Sequence, residues 1–231
     1  VIEEVYQRQS PLSSHDLMEL HGLFLRKQSQ YLKPRKLSKD FTKNITLLDL
    51  DERPQQVEFA ERVEQLLKEQ KIAFIQAQTG LGKTYGYLLP ALSMESEGGI
   101  LVSVPTKILQ NQIMQEEGSR LKDTFHIDIH SLKGPQNYLK LDNFYKVLHR
   151  PESNRLFTRF KMQVLIWLTE TETGDLDEIG QLYRYQHIIP ELVHDGKLSK
   201  KSLFSSEDFW QRSQDRAKSS RLLLTNHAYL V

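Results

Sequence analysis

From residue 54 onward, apolar positions alternate between two rhythms. Val57, Ala60, Val63 and Leu67 recur at helical spacing after Pro54, a residue suited to a first helical position. Ile72–Gln76 follows as a short apolar run of strand length, then a glycine-rich turn, then a helix from Lys83 to about Ser96. Ile100–Val104 reads as the next strand, Ile108, Ile113 and Met114 as another helix, and His126–His130 as an alternating strand. Leu222–Thr225 is a last buried strand. Strands separated by helical crossovers predict an α/β fold with a mostly parallel sheet covered on both faces.

Two stretches break that rhythm. Residues 1–50 read as a lead-in, with a helix capped by Ser13 or Ser14, carrying Leu17, Leu20, Phe24 and Leu25 on one face and stopped by Pro34. Seven basic residues between Arg26 and Lys43, against the single acid Asp40, mark a solvated connector. Leu132 to Ser220 reads as helices only: Leu141–Leu148, Asn154–Thr169, Gly180–Tyr185 and Ser206–Lys218. Within it Leu156, Phe160, Val164 and Trp167 make a core stripe. Its charge is segregated, basic from Lys133 to Lys161 and acidic from Glu170 to Asp195.

Composition narrows the classes. The 231 residues include no cysteine, which excludes disulfides and cysteine-held zinc or iron–sulfur centres and fits a cytoplasmic setting. No apolar run reaches the length of a membrane span. The net charge of +1 singles out no partner. The chain stops at Tyr229-Leu230-Val231 inside an apolar pattern, so a fragment is expected.

The strongest chemical signal is Ala77-Gln78-Thr79-Gly80-Leu81-Gly82-Lys83-Thr84, a P-loop with Ala in its first position. Its glycines let successive N–H groups turn towards phosphate oxygens, and the helix that begins there adds its positive end. Lys83 would reach the outer phosphates and the Thr84 hydroxyl would ligate Mg²⁺, so ATP with Mg²⁺ is the expected ligand and Lys83 and Thr84 the catalytic pair. Upstream, Arg53-Pro-Gln-Gln56 opens a helix. An amide such as that of Gln56 can donate and accept at once, as an adenine edge requires. Downstream, Thr106 is placed to cap the helix carrying Lys107 and Gln110.

Two further stretches, Ser131-Leu-Lys133-Gly-Pro-Gln-Asn137-Tyr138-Leu139-Lys140 and Leu223-Leu-Thr225-Asn226-His227-Ala228, make the resemblance specific. From Arg53 to Val231 the series resembles the DinG/XPD family of 5′→3′ DNA helicases, and DinG most. The resemblance implies an incomplete first motor domain of the RecA-like kind over 51–131 and 221–231, with a helical insertion at 132–220 where relatives carry an iron–sulfur domain. Lys140 stands where the family has a cluster-binding Cys, so no cluster is expected, as in the cluster-less Gram-positive branch. In that branch an exonuclease domain often precedes the helicase, and residues 1–50 would be its connector. The resemblance further implies that Arg53 and Gln56 read adenine and that single-stranded DNA is held by Thr106, Lys107, Gln110, Lys133, Asn137, Tyr138 and Lys140. The basic face of the insertion would lie along the strand's path. Such a fragment, without the Asp-Glu-Ala-His box and the second motor domain, is expected to be inactive alone.

Blander alternatives accompany several of these residues. His227 reads as a structural turn residue, Asp175-Leu-Asp177-Glu178 as a capped helix start rather than a metal site, and Phe209 and Trp210 as packing groups no less than base-stacking ones. Two rival functions remain open on the residues alone: another P-loop enzyme such as a small-molecule kinase, or a DNA-binding module with an inactive P-loop.

Overall fold

The computed structural model describes residues 35–94, 98–151, 154–197, 204 and 207–230. The capped helix expected around residues 13–31, and the basic residues Arg26, Lys27 and Lys33, lie outside the described residues. Three parallel strands form the sheet: β1 (Ile100–Val104), β2 (Ile129–Ser131) and β3 (Leu222–Asn226), in the order β1-β3-β2. The strand that follows the insertion therefore returns to the middle of the sheet, with Leu222 beside both Ile100 and Ile129.

The helices are α1 (Phe41–Leu47), α2 (Pro54–Lys68), α3 (Lys83–Ser93), α4 (Lys107–Ile113), α5 (Ser119–Phe125), α6 (Leu141–His149), α7 (Arg155–Leu168), α8 (Ile189–Leu192), α9 (Phe209–Ser219) and α10 (His227–Leu230). A π-helical turn, Met114–Gly118, joins α4 to α5. Two apolar cores organise them. The first gathers Leu88, Leu89 and Leu92 of α3 with Val104, Ile113, Leu121, Ile129 and Leu224 around the sheet. The second belongs to the insertion and gathers Tyr138, Phe144, Phe160, Val164, Tyr185, Leu192 and Phe209.

Four differences from the sequence expectations stand out. Residues 35–50, expected as a solvated connector, pack on the first core: Asp40 caps α1, Ile45 is fully buried, and Ser93 Oγ donates to Ser38 O at 2.9 Å. Ile72–Gln76 forms no strand. It has no sheet partner, and Ile72 and Phe74 are fully exposed. The core stripe of α7 holds at Phe160, Val164 and Trp167, which belong to the second core or pack on it, while Leu156 in the first turn is 43% exposed. Finally, Lys161 of the basic run is buried, its Nζ donating to Arg150 O at 2.7 Å.

Candidate functional site

The P-loop is positioned by two helices that flank it. Pro54 starts α2 without losing a needed N–H, since the first turn has no intrahelical acceptor. Phe59 of α2 packs against Gly86 of α3 so closely that a Cβ there would sit 2.6 Å from the ring. That contact brings the start of α2 beside the start of α3.

The loop itself depends on two left-handed glycines, Gly80 (φ 79°) and Gly82 (φ 85°). At Gly82 a side chain is excluded twice, by φ and by the Gln56 amide, which a Cβ would approach to 2.3 Å. Gln56 Nε2 donates to Gly82 O at 2.8 Å, and Arg53 donates to Gly80 O at 3.0 Å. Lys83 Nζ folds over the loop, donating to Gln78 O at 2.7 Å and to Ala77 O at 3.3 Å. The N–H groups of Gly80, Leu81 and Gly82 have no acceptor among the described residues. A concave loop of free N–H donors, at the start of a helix and with one Lys across it, fits a polyphosphate group.

Glu117, in the π-helical turn, faces the same place. Burial pushes its carboxyl above the usual range, the nearby Thr84 hydroxyl opposes that, and its Oε2 is buried without a partner. Nothing in the spacing of the sequence pointed to it. The signal lies in the π-turn, which shifts the register of the helix by one residue.

At the carboxyl ends of the strands, Thr106 caps α4 as expected, accepting from Leu109 N at 3.2 Å, and both Thr106 and Lys107 are exposed. The remaining residues expected to hold a strand are placed differently. Gln110 is fully buried: its Nε2 donates to Ser131 Oγ, Leu132 O and Leu224 O, and its Oε1 accepts from Asn226 at 3.0 Å. It ties α4 to the ends of β2 and β3 and offers nothing to a ligand. Lys133 is only 2% exposed, paired with Asp175 and, at 2.9 Å, with Asp177. Tyr138 is buried, its hydroxyl bonded to Ser213 Oγ at 2.9 Å and accepting from Lys133 N at 3.1 Å. Asn137 is buried, bridging Gly134 O and Lys107 Nζ. Lys140 pairs with Asp195 at 2.6 Å, an ion pair that holds the Asp195 carboxyl down at about 2. These residues line the seam between the sheet and the segment from Leu132 to Ser220, and the polar groups of Gln110, Lys133 and Tyr138, expected at the strand, are engaged within the protein.

A cavity of about 320 Å³ lies along the same seam, lined in part by Lys122, His130, Lys133, Asp175, Arg212 and Arg216. His130 Nε2 meets Ser213 Oγ at 2.8 Å, which extends the Tyr138 hydroxyl chain to β2. Asp175 caps the short turn after it by accepting from Asp177 N, so the Asp-rich stretch is a cap and an ion-pair partner. Phe209 belongs to the second core, with Trp210 packed against it, and His227 is an exposed first residue of α10.

The sequence pattern of the DEAD/DEAH box helicase family matches residues 54–174, just over half of the chain. The chain belongs to that family. Within it, the chain resembles DinG proteins. It is 35% identical over 166 residues to the 3′-5′ exonuclease DinG of Bacillus subtilis (strain 168), a match covering 69% of this chain and 18% of that protein. It is 30% identical over 225 residues to the 3′-5′ exonuclease DinG of Staphylococcus aureus (strain USA300), covering 90% of this chain and 24% of that protein. The chain therefore spans less than a quarter of the length of these relatives. Among the described residues no helix is long and apolar enough to cross a membrane.

Proposed function

We propose that this chain is the nucleotide-binding part of an ATP-driven DNA helicase that moves 5′→3′ along a single strand. The observation that carries the reading is the P-loop geometry. Free N–H donors lie along a loop with two left-handed glycines, with Lys83 across it and Thr84 in the first turn of α3. ATP would lie with its phosphates in this loop. Lys83 would leave the carbonyls of Ala77 and Gln78 to neutralise them, and Thr84 would hold Mg²⁺. The bound metal would draw charge from the outer phosphates. Arg53 and Gln56 grip the loop's own carbonyls here, so an adenine-reading role would need them to exchange those partners.

The strand would run over the exposed Thr106 and Lys107 and along the basic face of the insertion that stays in solvent, Lys146, Arg155 and Arg159. A fragment of a larger motor fits two features besides the coverage of its relatives. Ile72–Gln76 is apolar and unpaired, and β1 is an edge strand. Apolar segments left so exposed are uncommon in a finished domain. The 3′-5′ exonuclease named for the relatives would reside in another part of the parent protein, since this chain matches only 18% and 24% of their lengths. The test is unwinding by the full-length protein of duplexes with either a 5′ or a 3′ single-stranded tail. ATP-dependent unwinding confined to the 5′-tailed duplex is expected, and activity confined to the 3′-tailed one contradicts the polarity.

A further inference from the structure

Lys107, on the exposed first turn of α4, is already held. Its Nζ donates to Asn137 Oδ1 at 2.7 Å and lies 3.9 Å from Asp177 Oδ2. That carboxylate oxygen is shared: it also accepts from Lys133 at 2.9 Å and from Asn111 at 3.5 Å. The two lysines differ in what they need. Lys133 is almost fully buried and keeps a second carboxylate, Asp175, so it stays paired without Asp177. Lys107 is half exposed and its contact with Asp177 is long, an arrangement worth little and easily exchanged.

We propose that Asp177 and Asn137 occupy Lys107 in place of a nucleic-acid phosphate, and that an entering strand displaces them. An oxygen ligand set on the insertion thus competes with the phosphodiester backbone for one cation of the motor body. The proposal rests on the reading of Lys107 as a strand contact. Its physical content is a toll on binding: any phosphate that reaches Lys107 must first part it from an acid that is held in its charged form. Burial works against that charge, but Lys133, Lys107 and Asn111 outweigh it and keep Asp177 below the usual carboxylate range. The placement also selects the ligand class. A phosphate group replaces the carboxylate as well as the amide oxygen on Lys107, whereas a neutral ligand replaces only the amide and makes the weaker bond. Because Asp177 lies on the turn that Asp175 caps, release of Lys107 leaves that turn and the Lys133–Asp175 pair in place.

The experiment uses the full-length protein and a fluorescent single-stranded oligothymidylate, read by anisotropy at low and moderate salt. Three variants are compared with the parent: D177N, K107A and the double variant. D177N keeps Lys133 paired through Asp175, and should it fail to fold, D177S serves in its place. D177N is expected to bind about two- to fivefold more tightly at low salt, the scale of one exposed ion pair. K107A is expected to weaken binding and flatten the salt dependence by roughly 0.7. The double variant should match K107A, because the gain from D177N acts only through Lys107. If K107A weakens binding but D177N leaves it unchanged or weakens it too, the exchange is overturned while Lys107 remains a strand contact. If K107A leaves affinity and salt slope unchanged, the reading of Lys107 itself fails, and the exchange with it.

Discussion

At the scale of single residues, the site separates side chains that hold the loop from backbone N–H groups left without an acceptor. Gln56 and Arg53 are bonded to loop carbonyls, so the structure predicts that Gln56→Ala loosens the loop for any nucleoside triphosphate. Removing one such bond typically costs about 1 kcal/mol, or roughly fivefold in affinity. Binding of ATP and GTP to the full-length protein should weaken together, and a loss confined to ATP would restore an adenine-reading role.

Tyr138 makes a second residue-level case. Burial, opposed by its bonds to Ser213 and Lys133, pushes its hydroxyl from 10.0 up to about 12. The folded chain then holds this proton more tightly than the unfolded one. The stability it contributes is complete below pH 10 and is lost as the pH rises from 10 to 12, by up to about 1.4 kcal/mol per unit. Tyr85 and Tyr87 are raised by burial too and act with the same sign. The comparison is therefore between parent and Tyr138→Phe, whose urea midpoint should fall less steeply across that window. Parallel falls would contradict the assignment.

At the scale of elements, the insertion is joined to the sheet by polar groups rather than by a shared core. Lys133 leaves β2, Asp175 and Asp177 belong to the insertion, and Gln110 gathers the strand ends behind them. Lys133→Met would leave Asp175 buried without its cation, a change of about 3–5 kcal/mol. Urea unfolding followed by tryptophan fluorescence should register it, since both Trp167 and Trp210 pack on the insertion core. A loss under about 1 kcal/mol would show that the two cores hold each other without this pair.

The helices were legible from capping and spacing: Pro54, Thr106 and the run from Asn154 each begin where the pattern places them. What the pattern hid was pairing. Ile72–Gln76 carries strand chemistry, but a strand is a two-sided object, and no neighbour among the described residues supplies the other half. Lys133 and Lys161 were read as surface cations because charge predicts exposure. A partner forty-two residues away for one, and a backbone carbonyl for the other, reversed that expectation. The chemistry of residues 77–84 was legible because it is carried by backbone and adjacent positions, whereas Glu117 arrives from another element.

At the scale of the whole molecule, family membership, the parallel sheet and the P-loop support the proposed account, in which a nucleotide binds at the junction of α2 and α3. Its central claim is tested by Lys83→Ala in the full-length protein, with ATP hydrolysis measured in saturating single-stranded DNA. Lys83 is half-buried and its removal also takes away two hydrogen bonds to loop carbonyls, so the melting temperature is read beside the turnover to show that the fold is intact. Loss of a contact made to the reacting phosphates should lower the turnover by about a hundredfold or more. A turnover within about threefold of the parent, with the fold intact, would contradict the account.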